Sequence, residues 1–197
     1  MKLKFILSII LFFLISNCVG TSSQGIFGTG VSVALDPRSI GTQIDDNIMQ
    51  KSLSSRLLLK DKKYILSINL KVLDGRIFIT GKVDDPEEKL IITKMAWETK
   101  GARSVKNAIN IKGNSNFKST AKDILITGQL RSALIFNKTT KSRNYTIETI
   151  NQKIYIFGIA MDKDEKKEVI DEANKIYDVE EVIPSIYLAT ELSRNKI

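Results

Sequence analysis

The feature that most restricts what this chain can fold into is a long internal repeat. Sliding the sequence on itself brings VLDGRIFITGKVDDPEEK onto TINQKIYIFGIAMDKDEK, with Gly81 over Gly158, a displacement of 77 residues. The same displacement, without a gap, sets Asp46 on Asp123, Leu53 on Leu130, Leu57 on Leu134, Val72 on Thr149, Ala96 on Ala173 and Val105 on Val182. Self-similarity of that length predicts two tandem copies of one small domain.

Each copy reads as helix, strand, strand, helix, strand. In the first, Met49, Leu53 and Leu57 recur at helical spacing between about Asp45 and Leu59. Leu66, Ile68, Leu70 and Val72 then alternate with Ser67, Asn69 and Lys71, the pattern of a half-buried strand. Asp74-Gly75 is a hairpin pair that tolerates the positive φ such turns need, and the return strand carries Ile77, Ile79, Gly81 and Val83 on one face. Pro86 opens a second helix, whose inner stripe is Ile92, Met95, Ala96 and Thr99 and which Gly101 ends. Val105, Ile109 and Ile111 give the third strand. The second copy repeats the plan through Leu130 and Leu134, Tyr145 and Ile147, Ile154 and Ile156, Ala173 and Ile176, Val182 and Ile186. The expected class is α+β, each copy a three-stranded mixed sheet covered on one face by two helices. A glycine inside a strand costs packing, so Gly81 and Gly158 are read as structural positions admitting close approach of a helix backbone. Trp97, off the inner stripe, is read as packing at the core edge or between domains rather than as a stacking platform.

The N-terminus reads as an address. Lys2 and Lys4 precede an apolar run from Phe5 to Ile15, the length of a signal-peptide core and short of the roughly 18 residues that span a bilayer. It ends in LISNC, which resembles the lipobox of bacterial lipoproteins, with Cys18 where the lipidated cysteine stands and Asn17 departing from the usual small residue. A diacylglycerol on the thiol and an acyl chain on the new amine would anchor firmly, each buried methylene contributing about 0.8 kcal/mol. Val19 follows, where an inner-membrane retention signal would place Asp, so the outer membrane is expected. The Gly, Ser and Thr rich stretch from Val19 to Ala34 suits a tether; Gly25, Gly28 and Gly30 lack the strand, helix and lysine of a phosphate loop. The expected organisation is a signal peptide over 1–17, lipidated N-terminus and linker over 18–40, domains over 41–112 and 119–190 joined by 113–118, and a tail over 191–197.

Two scarcities narrow the chemistry: there is no histidine and one cysteine. The commonest general base near neutral pH is missing, and neither an internal disulfide nor a thiolate metal cluster can form. The acids lie in runs, Asp84, Asp85, Glu87, Glu88 and Asp162, Asp164, Glu165, which suit helix starts better than catalysis. No enzyme, metal or cofactor is expected. The formal charge of +8 falls to +6 when Lys2 and Lys4 leave, which biases the protein towards anionic partners.

The αββαβ order with a glycine in the second strand resembles the BON domain, and two such units behind a lipobox are similar to the dual-BON outer-membrane lipoproteins. The segment LDPRSIGTQIDD, Leu35 to Asp46, resembles the lead into their first domain. The resemblance implies a non-catalytic protein, lipid-anchored at the periplasmic face of the outer membrane, that binds anionic phospholipid rather than nucleic acid and supports membrane integrity. A rival reading is a scaffold docking on an envelope machine such as the outer-membrane barrel assembly complex.

The resemblance also implies that lipid contact falls on the first helix of the second domain, STAKDILITGQLRSALIFN. There Ile126, Leu130, Ala133 and Leu134 form a core stripe, Leu125 and Phe136 lie roughly 100° from it, and Ile135 is on the back. The family carries an aromatic anchor near this helix's start, where Leu125 stands here. The candidate lipid-binding residues are Lys122, Leu125, Arg131, Ile135, Phe136 and Lys138; packing of Leu125 and Phe136 against the first domain is the alternative. For the anchor, Cys18→Ser should abolish labelling by radioactive palmitate and move the protein from the membrane pellet to the soluble fraction; retained label would assign the lipid elsewhere.

Overall fold

Local chemistry starts the first helix earlier than the apolar spacing suggests. In the computed structural model, which describes residues 36–113 and 117–193, α1 spans Ile40–Lys60 rather than beginning near Asp45. Ser39 caps it, its hydroxyl accepting from the Thr42 N–H at 3.2 Å. A single turn, α2 (Tyr64–Ser67), precedes β1 (Ile68–Leu73), and β2 (Arg76–Val83), α3 (Pro86–Trp97) and β3 (Ser104–Ile111) complete domain 1. Domain 2 repeats the order with α4 (Phe117–Phe136), a 3-10 turn over Ser142–Asn144, β4 (Tyr145–Ile150), β5 (Lys153–Ala160), α5 (Lys163–Asn174) and β6 (Glu181–Leu188). The expected signal peptide, Cys18 and the glycine-rich tether lie outside the described residues.

The central strand of each sheet pairs antiparallel on one side and parallel on the other, in the order β1-β2-β3 and β4-β5-β6. Registers recur at the repeat distance: Ile68 opposes Gly81 as Tyr145 opposes Gly158, and Ile77 opposes Val105 as Ile154 opposes Val182. Leu66 is not a strand residue. It sits on α2, 93% exposed, because the chain must turn over Gly81 before pairing can begin. A Cβ on Gly81, at φ +133°, would fall onto the Ser67 carbonyl oxygen, and one on Gly158 would lie 2.5 Å from the Asn144 carbonyl oxygen and against the Tyr145 ring. The backbone that needs the missing side chain is thus the short turn before each first strand.

The helix-facing side of each sheet forms its own core. Leu53, Leu57, Ile77, Ile79, Ile92 and Ala96 meet in domain 1, and Leu130, Leu134, Ile154, Ile156, Val169 and Ala173 in domain 2. The opposite sides pack on each other. Alternate strand residues point there, and Leu73 and Phe78 meet Ile150, Tyr155, Phe157 and Ile159 in a third apolar cluster. The Phe78 and Phe157 rings stack at 4.7 Å between centroids, Tyr187 meets Phe157 edge-on at 6.2 Å, and the Arg76 guanidinium lies 4.3 Å over Tyr187. The described residues from Asp36 to Ser193 therefore belong to one compact unit of four layers, helices, sheet, sheet, helices. Trp97 joins none of these clusters. It is 54% exposed, contrary to the expected packing role, because one 100° step past the buried Ala96 turns it to solvent.

A repeated aspartate ties each first helix to the hairpin beneath it. Asp46 is buried and accepts from the N–H groups of Asp74 at 2.6 Å and Gly75 at 2.8 Å, and Asp123 accepts from Asn151 at 2.9 Å and Gln152 at 2.8 Å. Both turns hold positive φ at two successive residues, which aims those amides at the carboxylate. In domain 1 the Arg38 guanidinium also reaches Asp46, at 2.5 Å, while pairing with Asp36 at 2.6 Å; Gln43 donates to the Arg38 carbonyl at 3.0 Å. The segment before the repeat is a built part of domain 1. At the other end, Ser193 and Arg103 bond the buried Asp74 carboxylate, and Arg76 donates to the Glu191 carbonyl at 3.0 Å, strapping the C-terminal segment across the same hairpin. Asp46→Ala should lower the free energy of unfolding by about 3–5 kcal/mol, since it leaves two hairpin amides and one nitrogen of the buried Arg38, which keeps Asp36, without their shared acceptor, and Asp123→Ala by about 1–3 kcal/mol, since only two amides lose theirs. Urea unfolding followed by circular dichroism checks the order; equal losses would contradict it.

Candidate membrane interface

The inner side of α4 is set by Asp123, Ile126, Leu130 and Leu134, all buried, so its other side must face out. Leu125, Ile135 and Phe136 are 63, 66 and 83% exposed. None of them belongs to a buried apolar cluster. Gly128 and Ser132 lie between them on the wheel, and Asp123, turned inward, is the one acid among the twenty residues of α4. From Ser119 to Phe136 the outward face thus carries no charge between its flanking cations. At matching positions α1 also exposes Ile48, Leu58 and Leu59, but Asp45 and Lys51 are exposed there too, so the two copies differ most in the charge of this face.

The cations do not form one cluster. Lys122, on one flank, pairs with Asp178 at 2.9 Å and donates to the Gln152 side chain at 3.2 Å. Arg131, on the other flank, donates to the Ile147 carbonyl at 3.0 Å. Lys138 is exposed in the turn beyond the helix. The sequence reading passed over Ile124, 67% exposed beside Leu125, although its wheel position lies well off the core stripe. It also passed over a groove of about 760 Å³ where the Arg131 side of α4 and the edge strand β4 face Leu66, Lys82 and Lys112 of domain 1. Nothing local in the sequence marks that juxtaposition, which arises from packing of the two sheets.

The acidic runs are occupied in folding. Asp85 caps α3 by accepting from the Glu88 N–H at 2.9 Å, and Asp162 caps α5 by accepting from the Glu165 N–H at 2.8 Å. Buried Glu165 also accepts from the N–H groups of Lys141 at 2.7 Å and Met161 at 2.8 Å.

The model of the BON domain family matches residues 45–113 and 122–189, one match for each repeat. The chain belongs to the BON domain family. Each BON domain is the three-stranded mixed sheet with its helices. An uncharacterized protein in the gshII 5′ region of Anaplasma centrale is 32% identical over 62% of this chain and 82% of its own length. The outer membrane lipoprotein DolP of Haemophilus influenzae is 26% identical over 92% of this chain and 93% of its own length. A solved structure of CdsD, a structural protein of the type III secretion system of Chlamydia trachomatis, is 13% identical, covering 66% of this chain and 91% of its own, with a TM-score of 0.31, too low to bear on fold or function. Among the described residues no helix is long and apolar enough to cross a membrane, and no group of acids or cysteine is placed to hold a metal ion.

One titrating group of BON domain 2 faces the groove. Burial raises the Glu148 carboxyl above its ordinary value, and the Arg131 charge offsets this only in part. A carboxyl whose folded value lies above its unfolded one binds more protons when folded, so its contribution to stability is lost as pH rises through that window. Glu148→Gln should therefore raise Tm at pH 7, and the difference from wild type should shrink as pH falls and vanish below about pH 4, once the unfolded carboxyl is itself protonated. A Tm gain independent of pH would show that charge is not its cause.

Proposed function

We propose that this protein is a lipid-anchored, non-catalytic envelope protein of the periplasmic face of the outer membrane, binding anionic phospholipid through α4 of BON domain 2 and supporting membrane integrity. The observation that carries the reading is the outward face of α4, where Leu125, Ile135 and Phe136 stand exposed with no exposed acid on the same helix. Burying each of these side chains in the acyl boundary contributes about 1.5–3 kcal/mol. A cation near an anionic surface adds about 1 kcal/mol at low salt, which suits Lys138 and Arg131 better than Lys122, already held by Asp178. Similarity to an outer membrane lipoprotein along nearly the whole chain supports the anchor at Cys18 and the location.

Co-sedimentation of the chain from Thr21 to Ile197 with vesicles containing or lacking phosphatidylglycerol tests the reading. Wild type should bind only the anionic vesicles, with binding falling as salt rises. Leu125→Glu with Phe136→Glu should lose binding while unfolding at an unchanged temperature, because both side chains already lie in solvent. Wild type that ignores both vesicle types would overturn lipid binding and turn the search to docking on an envelope protein machine.

A further inference from the structure

We infer that the groove between the two BON domains is a binding site for the phosphate-bearing headgroup of a single amphiphile, a site separate from the inserting face of α4. It rests on the membrane reading above and deepens it. Three cations line the cavity. Lys82 of β2 is half-buried at the groove and has no hydrogen-bond or ion-pair partner among the described residues, so its stem is packed while its ammonium stays free to meet an anion. Arg131 commits one nitrogen to the Ile147 carbonyl, leaving other donors of its planar fork for a phosphate. Lys112 stands at the groove with its ammonium held by Asp84 at 2.9 Å, adding field rather than a free donor.

The same cavity has an apolar lip. Leu66 and Ile124, one from each domain, are 93 and 67% exposed and both line it. A free anion would gain nothing from them; a phosphate joined to an acyl chain would. Ile124 adjoins Leu125 on α4, so a lipid lifted partway from the bilayer that α4 contacts would enter the groove at this lip. Glu148 is the acid exposed to this cavity that no backbone amide neutralises, whereas Asp123 is committed to the Asn151 and Gln152 amides. Its carboxylate opposes a bare phosphate and accepts from hydroxyls, so the site favours a phosphodiester whose far end carries hydroxyl donors over a phosphomonoester. The domain-1 contribution of Lys82 and Leu66 explains why the two BON domains would act as one binder.

The test titrates the chain from Thr21 to Ile197, which contains the whole compact unit from Asp36, with dihexanoyl phosphatidylglycerol below its micelle concentration, read by amide NMR shifts. Inorganic phosphate and glycerol phosphate form separate arms. The lipid should give saturable shifts around Lys82, Ile124 and Arg131. Affinity should fall about tenfold in Lys82→Glu, the loss of one charge-assisted bond. Lys51→Glu, the same charge change on the exposed side of α1, should leave it unchanged. Glu148→Gln should narrow the preference for the phosphodiester over glycerol phosphate. Shifts confined to Leu125, Ile135 and Phe136 and indifferent to Lys82→Glu would overturn the groove while vesicle binding leaves the membrane reading standing. Inorganic phosphate binding as tightly as the lipid would also overturn it, because the lip would then contribute nothing. If neither short-chain lipid nor vesicles bind, both readings fall.

Discussion

A three-stranded sheet with two helices can cover only one of its faces, and the other must meet something apolar. In each repeat the central strand is apolar on both sides, with Phe78 between Ile77 and Ile79, and Tyr155 and Phe157 flanking Ile156. Neither copy can satisfy that composition alone. Packing sheet against sheet buries the second face, and truncating a fully buried phenylalanine such as Phe78 or Phe157 costs on the order of 3–5 kcal/mol, a large part of the stability of a unit this size. Everything functional follows from this contact. It turns the helices outward, so that α4 can meet a surface, and it brings β2 of the first domain beside β4 of the second, so that a groove exists.

What was legible in the sequence was what depends on short periods. Helical stripes, the Asp74-Gly75 turn, the proline start of α3 and the repeat itself are local patterns, and the repeat fixed their register twice over. The apolar spacing of Met49, Leu53 and Leu57 does not reach the first turn of α1, which Ser39 starts; Asp46 points inward to hold two amides of a hairpin 28 residues away, a role visible only once strands and helix are superposed. The alternation of Leu66 with Ile68 reads as strand, whereas the Ser67 carbonyl folded over Gly81 keeps pairing from starting before Ile68. The second apolar face was present in RIFITG and KIYIFG, runs without polar alternation that signal strands buried on both sides. Leu66 and Lys82 as groove residues left no local trace, since their neighbours lie in the other domain.

The repeats keep their scaffold and diverge on their surfaces. Asp46 and Asp123 hold equivalent turns, Gly81 and Gly158 admit equivalent backbones, and the strand registers coincide. Outside the core, α1 carries Asp45 and Lys51 where α4 carries Lys122 and Gly128. Replacing the acid by a lysine at the flank, and the lysine in the middle of the face by a glycine, lowers the cost of dehydrating that face against an anionic surface, so α4 is the copy that a headgroup layer can accept. Domain 1 has the heavier polar framework instead: Arg38 on Asp46, and Arg103 and Ser193 on Asp74.

This division of labour explains why a single BON domain would be insufficient for the proposed activity. An inserting face needs a rigid support, because an apolar helix free to rotate on its sheet would turn that face back into its own core. Asp123 prevents this from one end of α4 by holding the hairpin amides, and the buried Ile126, Leu130 and Leu134 prevent it along the length. Support for the sheet beneath comes in turn from domain 1 through the stacked phenylalanines. Loss of that stack would free the two sheets from each other, leaving α4 on an unsupported sheet and opening the groove that Lys82 and Arg131 line from opposite domains.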